Sequence, residues 1–210
     1  MNQIYKVFIN NFFILIVDSV KKRNNLISDS IMIDYHTVFS YSELIYYLSQ
    51  CHFNLKQHVV YSCQNPLKGF NLLKSYFKFS IAAGGMVKNQ DDKVLMIYKN
   101  GFWDLPKGKL NLKESTKTAA LREVFEETNA SGLKIASDHF STYHVYFDLN
   151  FQQFIFKETK WFLMISNLDF ELIPQLEEGI SKVSWVSHKN IHKIKTYESV
   201  KLVLKKFMTC

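Results

Sequence analysis

The sequence predicts an α+β protein in two parts, a small α+β domain of unassigned role over residues 1–77 and a larger domain over 78–210. Three observations lead there. In the first 77 positions, strand-like apolar runs alternate with two segments that open on helix-capping residues. At Phe79 the pattern shifts to two adjacent strand-like runs, and a capped, periodic helix follows near residue 116. With 210 residues, 47% apolar and only three prolines, the chain can bury a real core.

Taken in order, Tyr5 to Ile9 and Phe12 to Val17 flank Asn10-Asn11 and read as a β-hairpin, because Asn tolerates positive φ in a two-residue turn. Ile31 to Asp34 reads as a third strand. Ser40-Tyr41-Ser42-Glu43 is a capping box that opens a helix through Leu44, Ile45 and Leu48. His58 to Tyr61 is strand-like. Asn65-Pro66 then starts a helix with Leu67, Phe70, Leu73 and Phe77 at helical spacing. The aromatics Tyr46, Tyr47, Phe70, Tyr76 and Phe77 read as core or dimer surface more readily than as a base-stacking platform.

Further on, Phe79 to Val87 and Val94 to Lys99 form a hairpin across the polar turn Asn89 to Asp92. Gly84-Gly85 inside a strand marks a bulge, a close backbone approach to a ligand, or crowding in the core. Past the helix, His139 to Phe147 and Phe154 to Ile165 read as strands, as does Lys182 to Val186. Ile191 to Ile194 and Tyr197 to Phe207 supply a closing helical segment.

The most informative stretch is Gly108 to Ala130, GKLNLKESTKTAALREVFEETNA. Ser115 can cap the helix, Ala119, Ala120 and Val124 give it an apolar side, and Asn129 can end it. Glu123, Glu126 and Glu127 stand at i, i+3 and i+4 and share one face. Like charges at this spacing each cost about 0.2 to 0.5 kcal/mol, and the last helical turn is where the macrodipole repels anions. A hard divalent cation would reverse the sign of that repulsion. Taken alone, EVFEE is also a solvated acidic face with Arg122 paired to Glu126.

The longer pattern decides between these readings. A glycine, five residues, a glutamate, seven residues and then Arg-Glu-aliphatic-x-Glu-Glu resembles the signature of the Nudix hydrolase family, met here by Gly108, Glu114, Arg122, Glu123, Val124, Glu126 and Glu127. Such identities at fixed spacing arise by chance at fewer than about one in a million starting positions, given average residue usage. Asn129 stands where the family has Gly, and Ala130 is smaller than the usual aliphatic.

The resemblance implies an α/β/α sandwich with a mixed sheet, and the domain boundary at 77/78 is placed where it begins. It implies hydrolysis of a nucleoside diphosphate linked to another group X, by attack of water on a pyrophosphate phosphorus with Mg²⁺ or Mn²⁺. Glu123 and Glu127 would be the principal metal ligands, with Glu126 and the Gly108 carbonyl completing the set. Arg122 and Glu114 would orient the carboxylates. The general base lies inside the signature or on a later loop, where Glu177 and Glu178 are candidates and Glu178 is taken. Trp103-Asp104-Leu105-Pro106-Lys107-Gly108 resembles the branch that handles diadenosine polyphosphates and inositol pyrophosphates, with Lys107 near phosphate. The expected X is diadenosine polyphosphate-like or ADP-ribose-like. The competing reading is a non-catalytic module that senses a nucleotide or binds RNA. Hydrolysis of a capped or triphosphate RNA end is a further one.

Net charge is +7, with +3 in residues 1–75 and +4 in the remainder. Spread charge of this kind favours anionic ligands, nucleotides and nucleic acid included, without choosing among them; a small anionic, nucleotide-like substrate is what the resemblance implies, and nucleic acid is permitted but not favoured, since no dense Lys/Arg run is present. Dimerisation is left open. Cys51, Cys63 and Cys210 have no metal-ligand spacing and do not read as a disulfide framework. His188 and His192 lack a third ligand nearby in sequence and read as surface residues. The run Phe12 to Val17 is far short of the ~20 residues that span a bilayer. A cytoplasmic protein without membrane contact is expected.

Overall fold

The computed structural model describes residues 4–19, 35–167 and 170–208, apart from the side chain of His188. These form two compact units, one within Met1–Ser80 plus Tyr143–Lys157 and the other within Ile81–Thr142 plus Glu158–Cys210. The stretch 143–157, which follows the signature helix in sequence, therefore packs with the N-terminal residues.

In the first unit, strands β1 (Tyr5–Ile9) and β2 (Phe12–Asp18) pair antiparallel with Ile9 opposite Phe12. Asn10 takes φ 53° in the turn, which is the conformation the hairpin requires. The strand expected over Ile31 to Asp34 lies outside the described residues; β3 follows at Tyr35–Val38. Strand β4 (His58–Cys63) runs parallel to both β2 and β3. Between β3 and β4 lies helix α1 (Tyr41–Gln50), where Ser40 accepts the Glu43 N–H at 3.1 Å and the Glu43 carboxylate accepts the Phe39 N–H at 2.8 Å. Helix α2 (Pro66–Ser75) is capped by Asn65, which accepts the Lys68 N–H at 2.9 Å. Val7, Ile14, Ile16, Leu44, Leu48, Val59 and Leu73 are sealed in one core. Leu67, in the first turn of α2, faces solvent, while Phe77 is buried just beyond the helix end.

The second unit is built around central strands buried on both faces. Its sheet runs in the order β12 (Ile180–Val186), β6 (Val94–Lys99), β5 (Lys78–Lys88), β11 (Gln153–Ile165). The short strands β7 (Phe102–Asp104), β8 (Lys107–Lys109) and β9 (Lys134–Ile135) pair with β6, β5 and β11 respectively. Strand β10 (Phe140–Asp148) and β11 each contribute residues to both units.

Alternation along these strands sorts two cores. Met86, Val94, Met96 and Trp161 meet helix α5 (Glu198–Met208) through Val200, Val203, Leu204 and Phe207, while helix α4 (His188–Ile191) adds Ile191. Ala83, Val87, Leu95, Phe162 and Met164 meet helix α3 (Thr116–Thr128) through Ala119, Ala120 and Val124. The unit is the α/β/α sandwich with a mixed sheet. Among the described residues, no helix is long and apolar enough to cross a membrane. Cys51 and Cys63 are free thiols, and Cys210 lies outside the described residues.

Gly84 explains how the sheet places the loop that matters. A Cβ there would strike the Pro106 carbonyl and Lys107, and the Gly85 N–H donates to that same carbonyl at 3.1 Å. The close approach is made by the protein's own backbone.

Helix α3 ends at Asn129, whose φ of 63° is left-handed and whose N–H donates to the Phe125 carbonyl at 2.7 Å. Its side-chain amide also donates to the Glu171 carbonyl at 2.9 Å. Left-handed backbone costs a non-glycine residue roughly 1 to 2 kcal/mol, less for Asn. Asn129→Ala is expected to lower stability by about 1 to 2 kcal/mol in urea unfolding, and Asn129→Gly by under about 1 kcal/mol, because glycine keeps the turn and loses only the amide bond. Equal losses in the two variants would show that the turn conformation does not matter.

Candidate active site

The site assembles where the Trp103–Gly108 loop meets helix α3. Strand β8 fixes the loop's end by pairing with β5, with Gly84 opposite Lys107 and Ala83 opposite Gly108. The loop's start is pinned by the Trp103 N–H, which donates to the Lys195 carbonyl at 2.9 Å, and by the Thr196 hydroxyl, which donates to the Trp103 carbonyl at 2.6 Å. Helix α3 buries its alanine face on the sheet and turns its glutamates toward this loop.

Arg122 uses every donor it has. Its Nε and Nη2 hold the two oxygens of Glu114 at 2.9 Å each, and Nη1 reaches Glu123 and Glu126 at 2.8 Å each. Nη2 also donates to the Lys109 carbonyl at 3.0 Å. Glu114 accepts the Asn111 N–H at 2.9 Å as well. A planar fork of five donors suits this arrangement where a lysine would not. Arg122 is thus shared among three glutamates, which includes both the pairing with Glu114 that the resemblance implies and the pairing with Glu126 that helical spacing allows. The hydrogen bonds from Arg122 hold the Glu114 carboxyl at about 2 and raise the guanidinium's own pKa.

Glu123 and Glu127 meet the loop backbone. A methyl group at Gly108 would fall on the Glu123 carboxylate, so the absent side chain is what lets that carboxylate lie against the chain. Glu127 is 4% exposed and accepts the Lys107 N–H at 2.8 Å. Burial pushes Glu123 up despite the pull of Arg122. It pushes Glu127 further, to about 7, against the charge and backbone N–H of Lys107. The Lys107 ammonium lies 2.9 Å from the buried Asp104 carboxylate. Burial pulls that ammonium down, but Asp104 and Glu127 outweigh it and leave it raised.

Of the residues expected from sequence, Lys107, Gly108, Glu114, Arg122, Glu123, Glu126 and Glu127 come together through these contacts. Glu178 lies apart from that network, in a short 3₁₀ turn (Leu176–Glu178), with its exposed carboxylate 3.3 Å from Lys99. Two participants went unassigned. Asp104 anchors Lys107, and their i,i+3 spacing was the available signal. Tyr197 stacks on Phe102 with ring centroids 4.7 Å apart, and its phenol is raised by burial and by Asp104.

A hard cation suits this donor set. Among the described residues, no three His, Cys, Asp or Glu side chains gather closely enough to enclose an ion. The carboxylates of Glu123 and Glu127 at the Lys107-Gly108 backbone offer oxygen ligands of the kind Mg²⁺ takes one or two of, keeping water in its other positions.

Comparison with known proteins agrees with this geometry. Residues 78–207 match the family model of the NUDIX domain, which is more than half of the chain. A MutT-like protein of Streptomyces ambofaciens is 39% identical over 61 residues, 28% of this chain and 38% of that protein. The m7GpppN-mRNA hydrolase dcap-2 of Caenorhabditis elegans is 30% identical over 119 residues, 54% of this chain and 14% of that protein. The chain therefore spans well under two thirds of either curated relative. Among solved structures, a C. elegans Ap4A hydrolase binary complex superposes with a TM-score of 0.52 at 23% identity, covering 62% of this chain and 96% of that one, a likeness of fold.

The raised Glu127 carboxyl has a consequence for stability. Its value of about 7 lies above the ordinary 4.5, so folding binds its proton more tightly. That contribution is fully present below about pH 4.5 and is lost as pH rises through 7. Urea unfolding at pH 5 and pH 8 in chelator is expected to show Glu127→Gln more stable than the native chain at pH 8, by on the order of 2 kcal/mol, with the gap closing at pH 5. A gap independent of pH would mean that Glu127 titrates normally.

Proposed function

The chain belongs to the Nudix hydrolase family, and from that premise we propose that it is a metal-dependent pyrophosphohydrolase cleaving a nucleoside diphosphate linked to a group X. The observation that carries the proposal is a pair of carboxylates set against the loop backbone, the partly buried Glu123 against Gly108 and the buried Glu127 on the Lys107 N–H. Both are made costly by burial, and a cation would relieve them.

Mg²⁺ or Mn²⁺ would be held by Glu123, Glu127, Glu126 and the Gly108 carbonyl. When bound, such an ion neutralises phosphate charge and lowers the pKa of a water. Arg122 and Glu114 hold Glu123 and Glu126 in place, so they act as positioning residues. Lys107 presents its ammonium to a phosphate, with Asp104 fixing the side chain. In the reaction a water oxygen bonds to phosphorus, the bridging P–O bond breaks, and the water's proton passes to a carboxylate base. The leaving phosphate takes the electron pair of the broken bond.

The resemblance of the WDLPKG loop supports diadenosine polyphosphate-like substrates, and ADP-ribose-like ones are kept beside them in the test. A second reading, hydrolysis of a capped RNA end, draws support from the match to dcap-2 over 119 residues. A binding-only module gives no physical reason for keeping the buried Glu127 and the partly buried Glu123 in addition to Glu126. The free thiols of Cys51 and Cys63 suit a cytoplasmic protein.

Product release from diadenosine polyphosphates, ADP-ribose, nucleotide sugars, inositol pyrophosphates and a capped RNA fragment tests the proposal, run with Mg²⁺, with Mn²⁺ and with chelator. Turnover of one class is expected, abolished by chelator and reduced at least about a hundredfold in Glu127→Gln. Tight binding of a ligand with no turnover of any substrate would overturn it.

A further inference from the structure

Strand β11 turns alternate residues to two layers. Trp161 belongs to the core under α5, and Phe162 and Met164 to the core under α3, so Lys160 and Glu158 point to the α3 side. The neighbouring β10 agrees. Thr142 accepts the Trp161 indole N–H at 2.9 Å on one side, and the Ser141 hydroxyl donates to the Glu158 carboxylate at 2.8 Å on the other. Gly108 turns to the α3 side as well, because it pairs with Ala83 of that core and a Cβ on it would fall on the Glu123 carboxylate.

Strands β5 and β11 are neighbours that run in one direction: a Cβ at Gly85 would strike Met164, and the Ser166 N–H donates to the Lys88 carbonyl at 2.9 Å. Counting back from that contact in two-residue steps sets Ala83 beside Phe162 and Ile81 beside Lys160. Two strand spacings and one such step separate Gly108 from Lys160, about 12 Å between Cα atoms. The cover of α3 ends between these rows. Ala83 and Phe162 are sealed, whereas Ile81, Ser141, Glu158 and Lys160 are partly exposed. Among the described residues, no carboxylate pairs with the Lys160 ammonium.

We propose that Lys160 and Glu158 form the subsite for X, with Lys160 pairing a phosphate beyond the bond that is cleaved and Glu158 accepting the hydroxyls of a sugar. This rests on the reading of the chain as a pyrophosphohydrolase. Ser141 orients the carboxylate, so it is a positioning residue. The two charges together select a class of X. A ribose next to a phosphate offers hydroxyl donors to the carboxylate and an anion to the ammonium. An inositol ring with every hydroxyl phosphorylated has no donor to give, and its phosphates are repelled by Glu158. The subsite therefore takes a sugar phosphate and turns away an inositol polyphosphate.

The test titrates the full chain in Mg²⁺ by calorimetry with three probes: the methylene-bridged analogue of ADP-ribose, which water cannot cleave, inorganic tripolyphosphate and inositol hexakisphosphate. The native chain is expected to bind the ADP-ribose analogue tighter than inositol hexakisphosphate. Lys160→Gln should weaken the analogue and tripolyphosphate at least about tenfold, and Lys160→Arg should hold both near the native affinity. Glu158→Gln should weaken the analogue about tenfold, leave tripolyphosphate within about threefold and narrow the preference over inositol hexakisphosphate. On a substrate that turns over, Lys160→Gln and Glu158→Gln should raise KM at least about tenfold with kcat held within about threefold, because these contacts serve ground and transition state alike. Ser141→Ala should raise KM less. Circular dichroism and urea midpoints check that the variants fold. Native affinity for the analogue in both folded variants would overturn the proposal, as would a native preference for inositol hexakisphosphate or no binding of any probe. Binding that the variants weaken, with no turnover of any substrate, would sink the hydrolase reading and leave the subsite standing.

Discussion

The fivefold hydrogen bonding of Arg122 is the constraint on which the candidate site depends. One guanidinium joins the loop before the helix, through Glu114 and the Lys109 carbonyl, to two glutamates on the helix itself. Without it, Glu123 and Glu126 would repel one another one turn apart. With it, Glu123 is held against the Gly108 backbone and the helix is tied to the loop that carries Lys107. Every N–H of Arg122 is committed within the protein. Under the proposed function its part is therefore to position the glutamates, and Lys107 is the cation that would meet a phosphate.

Much of this was legible in the chain. Spacing alone placed three glutamates on one helical face, and the capping residues Ser115 and Asn129 marked the ends of that helix as built. The Asn10-Asn11 hairpin, the capping box at Ser40 and the Asn65-Pro66 helix start are equally local signals, each set by a few neighbouring residues. The α/β/α layering was carried by a family resemblance, and the structure supplies its reason in strands whose alternate residues feed separate cores.

What escaped the sequence has a common physical character. Strands β7 and β8 are three residues long, too short for any period to register, and they exist because longer strands and the Gly84 gap hold them. The branching of Arg122 depends on where Glu114 arrives after a loop. The packing of 143–157 with the N-terminal residues is a matter of tertiary pairing, β1 running parallel to β10 with Val7 opposite Tyr143. Tyr143 and His144, alternating on that strand with Lys157 on the next, pack there against Phe70 and Phe8, and Lys157 lies over the Tyr146 ring. No local pattern encodes such a partner choice.

The loop and helix together gather five carboxylates, from Asp104, Glu114, Glu123, Glu126 and Glu127, around two cationic side chains. This cluster is therefore negative, inside a chain whose overall charge is +7. A polyphosphate drawn toward the protein by its long-range field would meet repulsion over the last few ångströms. Under the proposed function this sets an order of arrival, in which a divalent ion would bind before the site admits an anion.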